Sequence, residues 1–238
     1  MNLLAIDTAT DLMGVALVTE QRVLGAYELL ADRPHAVELP GAVSRVLHAA
    51  GLRLDQMDGA AIDIGPGSFT GLRIGLSFLK ALIFSLRKPV AAVPSLDILA
   101  AGLWESAHRV CCVMDAKQGK VYGALYEVRQ GRPQRRSDHL LTPINDLLGL
   151  CPSKEPVVFV GDGALLHRAL IQERFADRAL FSPPELTLPR AAITGRLGLD
   201  RLAQNLGDDI ETLTPMYLHP ITCTVRQPSL TPASAKPS

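Results

Sequence analysis

Residues of a kind that could handle an anion are concentrated in one stretch, Gly65-Pro66-Gly67-Ser68-Phe69-Thr70-Gly71-Leu72-Arg73-Ile74-Gly75. Glycines let backbone N–H groups come close to a ligand, and a helix N-terminus favours negative charge. Gly65, Gly67, Ser68 and Thr70 are therefore candidates for a phosphate or acyl-phosphate cradle. The same residues also make a tight strand-to-helix connection with Ser68 or Thr70 as N-cap. The stretch lacks the Gly-Lys-Ser/Thr of a P-loop, which favours the plain connection. Three carboxylates, Asp7, Glu28 and Asp63, could serve as the acids of a two-metal site. Ile62 and Ile64 flank Asp63, so strand alternation turns it away from them and toward solvent, and the pattern places no fourth acid beside it. His35 and Glu38 lie one turn apart and read as a helix end and its cap, while the other histidines are scattered singly without an HxxxH pair. Ser68 has no base evident in the sequence, and no Gly-x-Ser-x-Gly elbow occurs. No metal site and no catalytic residue are assigned.

The elements that must position these residues follow from periodicity. Leu3 to Ile6 and Gly14 to Val18 are continuous apolar runs, as strands buried on both faces would be, joined by the polar turn Asp7 to Asp11. A third strand fits Arg22 to Glu28, and Leu39, Val43, Val46, Leu47 and Ala50 then recur at helical spacing. Gly59 to Ile64 returns to strand, Gly71 to Arg87 is a helix, Pro89 to Val93 a strand, and Ser95 opens a helix to about Ala107. The second half repeats the order. Val110 to Ala116 ends on Asp115 as the first strand ends on Asp7, and Tyr122 to Tyr126 mirrors Gly14 to Leu17. A helix from Pro143 to Leu150, a strand from Pro156 to Val160 and helices from Ala164 to Phe175 and Pro189 to Leu206 complete it. Two such units in series predict an α/β, duplicated ribonuclease-H-like fold of the actin and sugar-kinase kind, with lobes 1–108 and 109–220 and a flexible tail 221–238. ATP-using members of that fold favour glycine two residues after the first Asp. Here that position is Ala9, which argues for a structural Asp7.

The helix from Leu72 to Arg87 is apolar around most of its circumference, with only Arg73, Ser77 and Lys80 forming a polar stripe. One flank can lie on the sheet; the other is covered either by another helix of the same chain or by a partner subunit, and since only the helix near Leu39 to Ala50 is available as a neighbour, a partner surface is the expectation. Leu39, Val43 and Val46 of the preceding helix with Leu72, Leu76, Phe78, Leu79 and Ile83 are its expected residues.

The chain has 238 residues, with 24 Lys and Arg against 24 Asp and Glu. Zero net charge gives it no electrostatic grip of its own on a nucleic-acid backbone, so any RNA would be held by a partner. Cys111, Cys112, Cys151 and Cys223 show no CxxC spacing and read as buried thiols of a reducing compartment. No leader and no apolar run of membrane-spanning length is read, so the expectation is a cytoplasmic protein without membrane contact.

Leu4 to Thr10, the Gly65 to Gly75 stretch, Asp115-Ala116-Lys117 with Val121-Tyr122, Pro94-Ser95-Leu96, Val160 to Ala164 and Pro215-Met216-Tyr217-Leu218 together resemble the TsaB (YeaZ) family over nearly the whole chain to Leu218. The resemblance implies a bacterial protein that pairs with its catalytic paralogue TsaD and the ATPase TsaE. In that complex, threonylcarbamoyl is placed on the adenosine just after the anticodon. The implied role is an accessory one, required but not performing the transfer, with tRNA met only within the complex, no cofactor, and a homodimer as a further state. TsaD holds a metal through histidines four apart, and the positions that match here are Ser95 and Leu99, which cannot ligate one. Two positions depart from the family pattern: Lys120 replaces a Glu, and His219 replaces an Arg, removing a bidentate donor. Alternatives from another class are an ATP-dependent kinase or a metallopeptidase-like enzyme of the same fold, and a third is a homodimer that pairs only with itself.

Overall fold

The computed structural model describes residues 1–30 and 35–218, so the expected tail 221–238, with its Cys223, and also His219 lie outside the described residues. The first sheet contains β1 (Leu3–Asp7), β2 (Leu12–Val18), β3 (Val23–Leu30), β4 (Gly59–Asp63) and β5 (Val90–Val93), in the order β3-β2-β1-β4-β5. The second contains β6 (Arg109–Asp115), β7 (Lys120–Arg129), β8 (Arg132–Arg135), β9 (Leu140–Pro143), β10 (Val157–Val160) and β11 (Ala179–Phe181), in the order β11-β10-β6-β7-β8, with β9 also on β7. In each half the first strand is central: β1 pairs antiparallel with β2 and parallel with β4, and β6 pairs antiparallel with β7 and parallel with β10. That is the duplicated ribonuclease-H-like arrangement expected from the element order. The continuous apolar runs explain the centre, since β1, β2 and β4 are buried at every position.

Helices α1 (His35–Ala49) and α2 (Phe69–Leu86) cover the outer face of the first sheet, and α4 (Ile144–Gly149), α5 (Asp162–Leu166) and α6 (Arg168–Phe175) cover the outer face of the second. The layer between the sheets is made by α3 (Ser95–Gly102) and α7 (Ala191–Ala203), which meet through Ile98, Ala101 and Leu197. Each lies on the sheet of the other half. Leu96, Leu99 and Ala100 of α3 pack with β6 and β7, while Ala191 and Leu199 of α7 pack with Leu3, Ala5, Ala16 and Ala61. A division at 108/109 thus separates the two sheets but not the helices that cover them.

Local differences from the sequence reading have physical causes. Ser68 Oγ accepts from Gly71 N at 3.2 Å, so the cap sits at Ser68 and α2 begins at Phe69, two residues before the glycine expected to open it. The expected single helix from Ala164 to Phe175 is two, broken at His167. Strands β8 (Arg-Pro-Gln-Arg), β9 (Leu-Leu-Thr-Pro) and β11 (Ala-Leu-Phe) are not expected from the sequence because three or four residues are too few to show a period. Among the described residues no helix is long and apolar enough to cross a membrane.

The start of α2 touches the first hairpin, backbone to backbone. Gly67, Gly71 and Gly75 recur every four residues, forming one stripe toward Thr8 and Ala9. A Cβ on Gly71 would stand 2.1 Å from Thr8 O, and one on Gly75 2.2 Å from Thr8 Oγ1. In that gap Thr8 Oγ1 donates to Gly71 O at 2.8 Å and Ser68 N donates to Ala9 O at 2.7 Å. We expect Gly71→Ala to destabilise the protein by roughly 1–3 kcal/mol in urea unfolding, more than Ser68→Ala, which loses only a cap worth about 1 kcal/mol.

Candidate functional site

Asp7 and Asp63 end the parallel strands β1 and β4, whose register pairs Ile6 with Ile62. The structure brings them together and buries both, at 0% and 1% exposed. The expectation that Asp63 faces solvent is corrected here: strand alternation separates an inner from an outer face, and β4 has no solvent face at all. Asp63 Oδ1 accepts from Gly65 N at 2.8 Å and from Ser95 Oγ at 2.6 Å, and Asp7 Oδ1 accepts from Ala9 N at 3.2 Å. Burial pushes the Asp7 carboxyl up to about 7. Burial, together with the neighbouring Asp7 charge, raises Asp63 well above the usual carboxylate range. Glu28, the third candidate acid, is engaged by Arg190 instead. Ser95 is the buried donor to Asp63, and Leu99 is core at 2% exposed.

The second half repeats the arrangement in weaker form. Asp115 ends β6, and Asp162 Oδ1 accepts from the N–H groups of Asp115 and Gly163 at 3.1 and 2.8 Å. Burial raises the Asp162 carboxyl, whereas at Asp115 the hydrogen bonds from Lys117 outweigh burial and lower it. Between the two hairpins lies a cleft of about 500 Å³ lined by Thr10, Asp11, Ser68, Phe69, Asp115 and Lys117 among others. The Asp7–Asp63 pair is not part of its wall. Of the anion-cradle candidates, Gly67 and Ser68 reach this cleft, but Ser68 N is already bonded to Ala9 O, and Gly67 is needed because a Cβ there would stand 2.2 Å from the same oxygen. Thr70 lies instead on the outer side of α2, and Gly65, at φ 102°, forms the turn out of β4. Among the described residues no three His, Cys, Asp or Glu side chains converge as metal ligands would. His35 Nε2 donates to Thr10 O at 2.9 Å, and Glu38 pairs with Arg45.

The expected partner-surface residues are mostly core. Leu39, Val43, Val46, Leu72, Leu76, Leu79 and Ile83 are all below 8% exposed, and a side chain with no accessible area cannot meet a partner while the lobe stays closed. Phe78 alone of that set is partly exposed. The second apolar flank of α2 is covered by the chain itself, through α1 and a strap running from Asp208 to Leu218. Ile210 and Leu213 of the strap pack on the core, Lys80 Nζ donates to Glu211 O, and Met216 N donates to Ile64 O at 2.7 Å. Nothing in the helical period announced that strap, because it has no period. What stays open is a groove of about 550 Å³ between α1 and α2, lined by Ala36, Phe69, Thr70, Arg73, Ile74 and Phe78. Phe69 is 47% exposed and Phe84, further along α2, 81%. Arg73 lies over the Phe69 ring at 3.8 Å and donates through Nε to Tyr217 Oη at 3.0 Å, holding the strap's end beside the groove. Lys120 is exposed at the start of β7.

A family model described as "TsaD: tRNA N6-adenosine threonylcarbamoyltransferase" matches residues 20–220. The tRNA threonylcarbamoyladenosine biosynthesis protein TsaB of Bacillus subtilis is 30% identical over 219 residues, covering 92% of this chain and 94% of that protein. The chain belongs to the TsaB family. YeaZ from Pseudomonas aeruginosa superposes with a TM-score of 0.79 at 31% identity, covering 91% of this chain and 99% of that one. The ethanolamine utilization protein EutJ from Carboxydothermus hydrogenoformans, at 12% identity and a TM-score of 0.53 over 82% of this chain and 89% of its own, shares the fold alone. In this TsaB-family chain Asp7 and Asp63, at the ends of β1 and β4, lie beside each other and outside the interlobe cleft, whereas Asp115 lines it.

The raised Asp7 and Asp63 carboxyls make the folded chain hold protons that the unfolded chain releases, starting from about pH 4. Their contribution to stability therefore declines as pH rises from about 4 through 7, by at most about 1.4 kcal/mol per pH unit for each group. Denaturant unfolding at pH values between about 5 and 8 should show Asp7→Asn losing less stability with rising pH than the unsubstituted chain.

Proposed function

We propose that this chain acts in the biosynthesis of tRNA N6-threonylcarbamoyladenosine as a non-catalytic subunit that binds and activates the catalytic paralogue TsaD. The pathway is that of the B. subtilis relative by its name, and the matching TsaD model makes a paralogous pair of like folds the natural assembly. The observation that carries the accessory role is the contact between the first hairpin and α2. Backbone N–H groups that could cradle a phosphate in this fold are engaged within the chain, with Ser68 N on Ala9 O and Gly71 N on Ser68 Oγ. This packing also weighs against the kinase reading, and Ser95 and Leu99, both built into the core, weigh against a TsaD-like metal centre.

Docking uses the outer side of α2 and the start of α1, where Phe69, Ile74, Phe78 and Phe84 leave apolar area uncovered beside Arg73. Binding there shifts TsaD toward its competent state if the surface fits that state better than the other. TsaE and tRNA join within the complex, which works in the cytoplasm, and self-association through the same groove is the resting alternative. The seven buried leucines, valines and isoleucine support this surface from below.

Phe78→Asp combined with Phe84→Asp should abolish co-purification with TsaD while leaving the thermal transition of the isolated chain nearly unchanged. Leu79→Asp should unfold the lobe instead, since it buries a charge. Undiminished co-elution of the double variant would remove this surface from the account. Assay of modified adenosine with the chain, TsaD, TsaE and tRNA omitted in turn tests the role itself. ATP and Mg²⁺ titrated into the lone chain separate it from a kinase, which would bind them unaided.

A further inference from the structure

Asp63 Oδ2 is buried and has no hydrogen-bond partner among the described residues, while its Oδ1 has two. The side chain beside it is the Asp7 carboxyl, also fully buried. The groups that face this pair from the surrounding elements are Thr194 of α7, whose Oγ1 is 3.5 Å from Asp7 Oδ2, Ser95 of α3, and Glu28 of β3, which is itself paired with Arg190. Among the described residues no Lys or Arg bonds either acid. Two bare carboxylates in contact without a cation would repel strongly at low dielectric, whereas one proton between them supplies the missing bond.

That bond would complete a ring. Gly65 N donates to Asp63, Asp7 accepts from Ala9 N, and Ala9 O accepts from Ser68 N, so the acid pair joins the first residue of the α2 loop to its N-cap. The same loop is tied to α3 by Ser95 N on Gly65 O and to the strap by Met216 N on Ile64 O. We propose that Asp63 carries a proton on Oδ2, donates it to Asp7, and that this single shared proton latches the loop 64–68 at the start of α2. Loss of the proton at alkaline pH leaves two like charges in contact, opens the ring at that link, and frees Gly65 from Ser68. The latch belongs to the isolated chain and does not depend on the partner reading.

The full chain labelled with carbon-13 at the aspartate carboxyls and nitrogen-15 at the amides tests it by NMR across pH about 5 to about 10. The expected result is one protonated carboxyl persisting at neutral pH, with the amides of Ala9, Gly65 and Ser68 shifting at its midpoint. In Asp63→Asn, whose amide still donates to Asp7 and whose Oδ1 still accepts from Gly65 and Ser95, the titration vanishes and the loop amides stay flat. Should that variant not fold, Asp7→Asn removes the neighbouring charge that helps hold the Asp63 proton and moves the midpoint to lower pH, and the unsubstituted chain's own curve decides the matter. The proposal is overturned if both carboxyls are ionised at neutral pH, or if the loop amides titrate unchanged in the variants. Addition of KCl or MgCl₂ should leave the two carboxyl resonances in place; movement would mean that a cation, not a proton, fills the link.

Discussion

The contact between the first β-hairpin and the start of α2 is a backbone-on-backbone contact, and the rest of the molecule is arranged around it. Side chains are absent along the glycine stripe, so Ala9 O can satisfy an amide that a helix N-terminus would otherwise leave to water or a ligand, and Thr8 Oγ1 can reach the Gly71 carbonyl. That one approach fixes the height of α2 over the sheet, the depth at which Leu72, Leu76 and Leu79 enter the core, and the width of the groove beside α1. It also explains why a glycine-rich stretch of the kind that elsewhere binds phosphate serves here as packing.

Much of this was legible in the sequence. Continuous apolar runs announced the central strands, and the repeated order of strand, Asp, turn and strand announced the duplication, because a strand buried on both faces has no alternative pattern. The candidate site was harder. Strand alternation sent Asp63 outward, an inference that holds only for a sheet with one wet face, and the register that sets it beside Asp7 depends on pairing between residues far apart in sequence. The helix α2 was read correctly as apolar on more than one flank, but its second cover turned out to be the aperiodic strap of Ile210 and Leu213, which no window of helical or strand spacing detects. The stack of Phe69, Arg73 and Tyr217 had a half-signal: Phe69 and Arg73 are one turn apart, whereas Tyr217 is joined to them only by the fold.

Burial also changes what the helical surface can be for. With most of its leucines committed inward, α2 leaves a few aromatic edges and one guanidinium at its surface rather than a broad greasy stripe. Recognition through few, well-held side chains depends on their positions being fixed beforehand, and the strap holds Arg73 in place through Tyr217. Orientation of the groove is thereby coupled to the chain's last described residues.

The exchange of α3 and α7 between the sheets reaches further than packing. Each half of the polypeptide lends the other the helix that keeps its inner face dry, so neither sheet could be closed by its own stretch of chain. Although the architecture is doubled, each sheet packs against a helix from the other half of the chain. A gene cut at the midpoint would yield two fragments, each with a sheet whose inner face has lost its covering helix.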